Sequence, residues 1–179
     1  MTIHDTLWQP RPVCTDARLR HWLIDRGSLT RRLQSRCPQF GVDLLSQRLA
    51  APCRDEYEVL ALGAREQCVV REVALKCGRE PIVFAHSVAL RQTVDTGWQL
   101  LRALGARPLG AVLFANPRVQ RGALHFQRLN PRHVLYQRAC TLVTRPPVAL
   151  WARRSLFILG KSRLLVTEVF LPAILALAP

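Results

Sequence analysis

A chain of 179 residues with 49% apolar side chains is long enough to bury a core around an internal ligand site, which excludes wholesale disorder. Its formal charge of +14 leaves three readings open: a nucleic-acid or anionic-membrane surface, attraction of small anionic substrates, or genome base composition. The third rests on the skew of the basic residues, 24 of 26 being arginine and scattered rather than gathered in a tail or along one helix.

Residues 1–15 are extended and poorly patterned. MTIHDTLWQPRP lacks the apolar centre of a signal peptide, so a cytoplasmic protein is expected. From Asp16, DARLRHWLIDRG fits a helix with Asp16 as its N-cap, Leu19, Trp22 and Leu23 on one face, and Gly27 at its end. Ser28 caps a second helix, LTRRLQSR. FGVDLLSQRLA (40–50) reads as a strand, and APCRDEYEVLALGA as a connection rich in acids.

The clearest pair follows. QCVVREVALK (67–76) and PIVFAHSVAL (81–90) flank Cys77-Gly78-Arg79-Glu80 as a β-hairpin. Alternation puts Val69, Arg71, Val73 and Leu75 on one face and leaves the more polar face to Cys68, Val70, Glu72, Ala74 and Lys76. GWQLLRALG (97–105) predicts a short helix, RPLGAVLF a lid-like helical segment, and RVQRGALHFQRLN a strand. NPRHVLYQRACTLVTRPPVA is a loop with a helical piece. LWARRSLFIL (150–159) and RLLVTEVFL (163–171) form a second hairpin around Gly160-Lys161-Ser162. The apolar run VFLPAILALA is too short, and too broken by Pro172, to cross a bilayer; it reads as a strand end and a packed tail, with no membrane insertion. The fold class implied is α+β, with antiparallel strands from successive hairpins and short helices on the sheet, in a single domain over 1–179.

Two charges sit where burial is expected. Arg71 lies on the apolar face of its strand, and Glu168 shares a face with Leu164, Val166 and Phe170. From Thr96 onward there are 12 basic residues, and Glu168 is the only acid. Either the two pair as a buried salt bridge, or a one-residue slip of register turns both outward. The third reading is that both line a closed cavity and meet a polar ligand. The arginine fork suits a carboxylate, and a glutamate holds a hydroxyl or moves a proton.

Other signals are thinner. His86, between Phe84 and Val88, reads as a packed or capped core residue, and His21, His125 and His133 have no partner pattern. Of Arg153 and Arg154, one faces inward and the other faces solvent. The cysteines (14, 37, 53, 68, 77 and 140) form no C-x-x-C pair, and none is spaced with a histidine as zinc ligands are; reduced thiols and no metal are expected. No G-x-S-x-G, P-loop or dinucleotide fingerprint appears, so acyl transfer and nucleotide chemistry have no positive evidence.

WLIDRGSLTRRL, VVREVAL, LGARPLGAVLF, LWARRSLF and LLVTEVFLP, in this order, resemble the chorismate pyruvate-lyase family from about Trp22 to Pro172. Two departures are visible: the position before Thr30, often Met in the family, is Leu29, and the segment between Phe114 and Leu150 is longer than in compact members. The resemblance implies a single antiparallel sheet of about six strands with helical lids closing an internal cavity. It carries a substrate-binding and catalytic role onto Arg71 and Glu168, and main-chain contacts onto Leu29 and Leu109.

It also implies the chemistry: cofactor-independent elimination of pyruvate from chorismate to give 4-hydroxybenzoate, the first committed step of ubiquinone synthesis. Arg71 would grip the ring carboxylate while Glu168 holds the hydroxyl end, either transferring a proton or orienting the ring. The expected partner is chorismate alone, bound by a monomer, with no metal, redox cofactor or nucleic acid. Two other classes stay beside it. A non-enzymatic module binding small aromatic acids would keep the same pocket, and a nucleic-acid binder would use the charge but leave Glu168 unexplained.

Overall fold

Two hairpins dictate the sheet of this computed structural model, which describes residues 7–99, 101 and 104–178. β2 (Cys68–Cys77) pairs antiparallel with β3 (Glu80–Leu90), and β6 (Leu150–Leu159) with β7 (Ser162–Phe170). These runs are dense in Val, Leu and Phe, which suit a pleated surface covered on both sides. Gly160 turns the second hairpin at φ +60°, a conformation that Cβ-bearing residues resist. β3 pairs with β7 and joins the hairpins.

β1 (Phe40–Ala50) adds outside β2, while β4 (Gln120–Arg121) and β5 (His125–Leu129) share the outer edge of β6. The result is a seven-stranded antiparallel sheet in the order β1-β2-β3-β7-β6-β4, with β5 beside β6. The α+β class and the hairpins are as the sequence implies. The strand expected over 118–130 is broken at residues 122–124, which raises the strand count from about six to seven.

α1 (Ala17–Ile24) starts at Asp16, whose Oδ1 accepts the Leu19 N–H at 3.0 Å. It stops at Ile24, earlier than Gly27, because Asp25 turns the chain and its Oδ1 accepts the Gly27 N–H. Ser28 caps α2 (Leu29–Arg36) through the Arg31 N–H. α3 (Tyr57–Leu60), α4 (Arg91–Thr96), α5 (Leu109–Ala115) and α6 (Val134–Cys140) are short. The helix expected over 97–105 includes residues 100, 102 and 103, which lie outside the described residues. No described helix is long and apolar enough to cross a membrane.

Both faces of the sheet are covered. On one, α1, α2 and the closing 3-10 turn (Pro172–Ala176) bury Trp22, Leu33 and Ile174 against Val73, Val83 and Phe170. α5 adds Leu109 and Leu113 against Phe157 and Leu164. On the other, α3 and α6 place Leu60 and Leu135 among residues such as Val70, Val88 and Val169. The face of β2 expected to be the more polar is therefore buried as well, Glu72 included.

The expectation of reduced thiols fails at one pair. Cys37 ends α2 and Cys77 ends β2, and the β1–β2 register sets Phe40 opposite Cys77, which brings the two sulfurs together as a disulfide with Cα atoms 5.7 Å apart. Cys14, Cys53, Cys68 and Cys140 are free.

Candidate active site

Directly paired residues of antiparallel strands project from the same face. One row across the sheet is Arg71, Ser87, Val166 and Ser155; the next is Val73, Ala85, Glu168 and Arg153. Ala85 and Ser87 are small, so the middle of this face sinks and leaves a cavity between sheet and helices. Its roof is the start of α2, at Leu29 and Thr30, and α5 from Leu109 to Phe114. The two roof pieces touch at Gly110, where a Cβ would stand 2.8 Å from Thr30 Oγ1.

The cavity brings together all four residues singled out from the sequence: Arg71, Glu168, Leu29 and Leu109. Arg71 is 2% exposed and its Nη2 donates to the carbonyls of Gly105 (2.8 Å) and Arg107 (3.0 Å). Its Nε is buried with no partner among the described residues, and burial pushes the guanidinium below its ordinary pKa. Arg71 and Glu168 form no ion pair with each other. Glu168 Oε2 instead accepts from Arg153 Nε, its cross-strand neighbour, at 2.5 Å.

Arg153 Nη1 donates to the carbonyls of Trp22 (3.0 Å), Leu23 (3.1 Å) and Asp25 (2.7 Å) at the end of α1. Those carbonyls belong to the helix end that has no intrahelical donor. Arg154 is buried too, donating to the Asp55 carbonyl and carboxylate and lying 4.3 Å over the Trp8 ring. The expectation that one of the pair faces solvent is thus corrected. A β-strand sends neighbours to opposite faces, and here both faces are covered.

Sequence reasoning missed Arg121. It lies in the two-residue strand β4, too short to show alternation, yet its side chain lines the cavity. Its Nε donates to Ser155 Oγ at 2.9 Å and its Nη1 to the Arg26 carbonyl at 2.7 Å. The guanidinium stands over the rings of Phe114 (5.3 Å) and Phe157 (5.4 Å). Burial lowers its pKa, and the charge of Glu168 partly restores it.

Behind the sheet lies a second polar cluster. His86 Nδ1 meets Glu72 Oε1 at 3.0 Å and Nε2 meets Glu56 Oε1 at 3.2 Å, while Arg138 Nη1 reaches Glu72 at 2.6 Å. Burial opposes the imidazolium, but hydrogen bonds with Cys53, Glu56 and Glu72 and the Glu56 charge outweigh it, so the His86 pKa lies well above the ordinary value. Burial likewise pushes the Cys53 thiol up. Cys53, Glu56 and His86 set ligand atoms within 4.8 Å of one another, a grouping that spacing along the chain did not reveal. Two carboxylates here already face two cations, so the cluster is balanced without an added ion.

The chain matches the family model described as chorismate lyase over residues 3–177. Proteins named "Probable chorismate pyruvate-lyase" are similar to it: one from Nitrosomonas eutropha is 49% identical over 93% of this chain and 94% of its own. Another, from Aromatoleum aromaticum, is 49% identical over 97% of this chain and 96% of its own. Among solved structures, the effector domain of PhnF from Mycobacterium smegmatis superposes with a TM-score of 0.57 at 11% identity, covering 83% of this chain and 91% of that one. A GntR-family transcriptional regulator from Bacillus cereus gives 0.55 at 9% identity, covering 75% and 92%. At such identities the likeness is one of fold alone.

Proposed function

The chain belongs to the chorismate lyase family, and on that premise we propose that it eliminates pyruvate from chorismate to leave 4-hydroxybenzoate, as the cytoplasmic entry step to ubiquinone. One observation carries the assignment. Arg71 and Glu168 enter the same lidded cavity from β2 and β7, two strand spacings or about 10 Å apart across the sheet. Each has a polar atom that no described residue claims: Nε of Arg71, and Oε1 of Glu168, whose Oε2 is occupied by Arg153. The active unit on this reading is a monomer, which is supported by a cavity whose described walls, floor and roof come from one chain.

The residues then act as follows. The Arg71 guanidinium, desolvated and fixed by two carbonyls, takes the ring carboxylate. The Leu29 N–H opens an eight-residue helix and has no intrahelical acceptor; the main chain at Leu29, and that at Leu109 across the roof, supply further donors. Glu168 accepts from the ring hydroxyl and stands beside the carbon that must lose a proton. In the reaction the ring–ether C–O bond breaks with its electron pair passing to the enolpyruvyl oxygen. The proton leaves the hydroxyl-bearing carbon, and the released fragment gains a proton at its methylene carbon to become pyruvate.

Aromatisation supplies the driving force, so the protein's task is orientation, water exclusion and electrostatic fit. A product retaining both polar contacts leaves only when the α2 and α5 roof opens, which makes release a slow step.

The test is incubation of the purified protein with chorismate, with the aromatic product identified by chromatography and pyruvate counted by a coupled assay. Equimolar pyruvate and 4-hydroxybenzoate are expected. A folded protein whose melting temperature rises with 4-hydroxybenzoate but which leaves chorismate intact would instead be a binding module.

A further inference from the structure

Three charged side chains line the cavity: Arg71, Arg121 and Glu168. Glu168 is neutralised by Arg153 at 2.5 Å, and among the described residues neither remaining arginine has a carboxylate partner within ion-pair reach. The cavity therefore holds two arginines without an ion-pair partner; burial disfavours both charges, and at Arg121 the nearby Glu168 and Asp25 charges offset this only in part. A ligand with one carboxylate answers only one of them.

Resting on the lyase reading above, we propose that Arg121 binds the second carboxylate of the substrate, the one on the enolpyruvyl arm that leaves as pyruvate. The topology supports the direction. Arg71 enters from β2 and Arg121 from β4 at the far side of the sheet, with Glu168 on β7 between them. In chorismate the ether carbon adjoins the hydroxyl-bearing carbon and lies away from the ring carboxylate. A ring held by Arg71 at its carboxylate and by Glu168 at its hydroxyl thus extends its ether arm toward β6 and β4.

Arg121 is ready for that contact. Nε and Nη1 are held by Ser155 and Arg26, the guanidinium packs against the edge-to-face Phe114–Phe157 pair, and the Nη2 edge makes no hydrogen bond within the described chain. Negative charge develops on the departing enolpyruvyl oxygen as the C–O bond breaks, so a cation beside that arm favours the transition state over the bound substrate. Because the Arg26 carbonyl in the α1–α2 turn and the α5 ring of Phe114 both meet this guanidinium, the same side chain also ties the turn that leads into α2 to the α5 part of the roof.

Substrate and product separate these roles, since chorismate has two carboxylates and 4-hydroxybenzoate one. In Arg121→Gln, kcat/KM for chorismate should fall about 10- to 100-fold while the dissociation constant of 4-hydroxybenzoate stays within about twofold. Arg121→Lys, which keeps the charge without the fork, should recover part of the loss and stands in if the glutamine variant does not fold. Equal losses for chorismate and 4-hydroxybenzoate would make Arg121 a fastener of the roof and overturn the assignment. Unchanged chorismate kinetics in both variants would also overturn it while leaving the lyase reading intact. A wild type that binds 4-hydroxybenzoate without consuming chorismate would remove the reading and the assignment together.

Discussion

Arg153 carries two loads at once: its Nε holds Glu168, and its Nη1 gathers three carbonyls at the end of α1. The side chain is 1% exposed, so deleting its charge strands both sets of partners in a dry interior. Arg153→Met should lower the unfolding free energy by about 3 kcal/mol, as removal of one member of a buried pair does. Glu168→Gln should cost somewhat less, because its amide oxygen still accepts from Arg153 although the buried guanidinium loses its counter-charge. Urea unfolding of the two variants checks this; an Arg153→Met protein as stable as the wild type would contradict it. At this scale the sequence was readable for Arg71 and Glu168, since a charge inside an apolar alternation stands out in one dimension. For Arg153 the alternation showed only that it or Arg154 faces inward; its role stayed hidden, because its partners lie across a hairpin and 128 to 131 residues back along the chain.

The elements behind the sheet are pinned by the His86 cluster. Glu72 and His86 face each other across β2 and β3, Arg138 reaches in from α6, and Glu56 and Cys53 come from the connection after β1. Because the folded His86 pKa is raised well above 6.5, its contribution is fully present below the unfolded value and is lost as pH climbs through the folded one. For Glu72, burial pushes the carboxyl up, but the hydrogen bond from His86 and the charges of His86 and Arg138 bring it below 4.5. Its contribution is present above that value and fades as pH falls through the folded pKa.

Thermal unfolding of the wild type and His86→Gln should therefore show their widest gap between the two windows, narrowing toward alkaline and toward acid pH. A gap constant into the alkaline range would refute the charged imidazole. Periodicity gave both hairpins, the caps at Asp16 and Ser28, and the lid after Pro108. It places His86 as a packed or capped core residue, as the structure has it, but not its carboxylate partners, which arrive from β2 and from a connection without alternation.

For the whole molecule, the charge of +14 and the lidded cavity act in series. On the proposed reading, a basic surface would draw in a dianion over roughly a Debye length of 8–10 Å, and the buried arginines would then replace its hydration. The family and fold were legible because ordered motifs span nearly the whole chain, and the antiparallel architecture followed from its two hairpins. The full charge set of the cavity was not. Arg121 enters from a strand of two residues, and only the folded sheet puts it opposite Arg71.

The central claim is that Arg71 and Glu168 hold opposite ends of one aromatic acid. Calorimetric titration of 4-hydroxybenzoate and benzoate, which differ only in the hydroxyl, into the wild type, Arg71→Ala and Glu168→Gln tests it most directly. The account predicts that Arg71→Ala weakens both ligands alike, by about 10- to 100-fold, whereas Glu168→Gln erases most of the preference for 4-hydroxybenzoate and leaves benzoate nearly unchanged. A preference that survives in Glu168→Gln, or affinities untouched in Arg71→Ala, would contradict it.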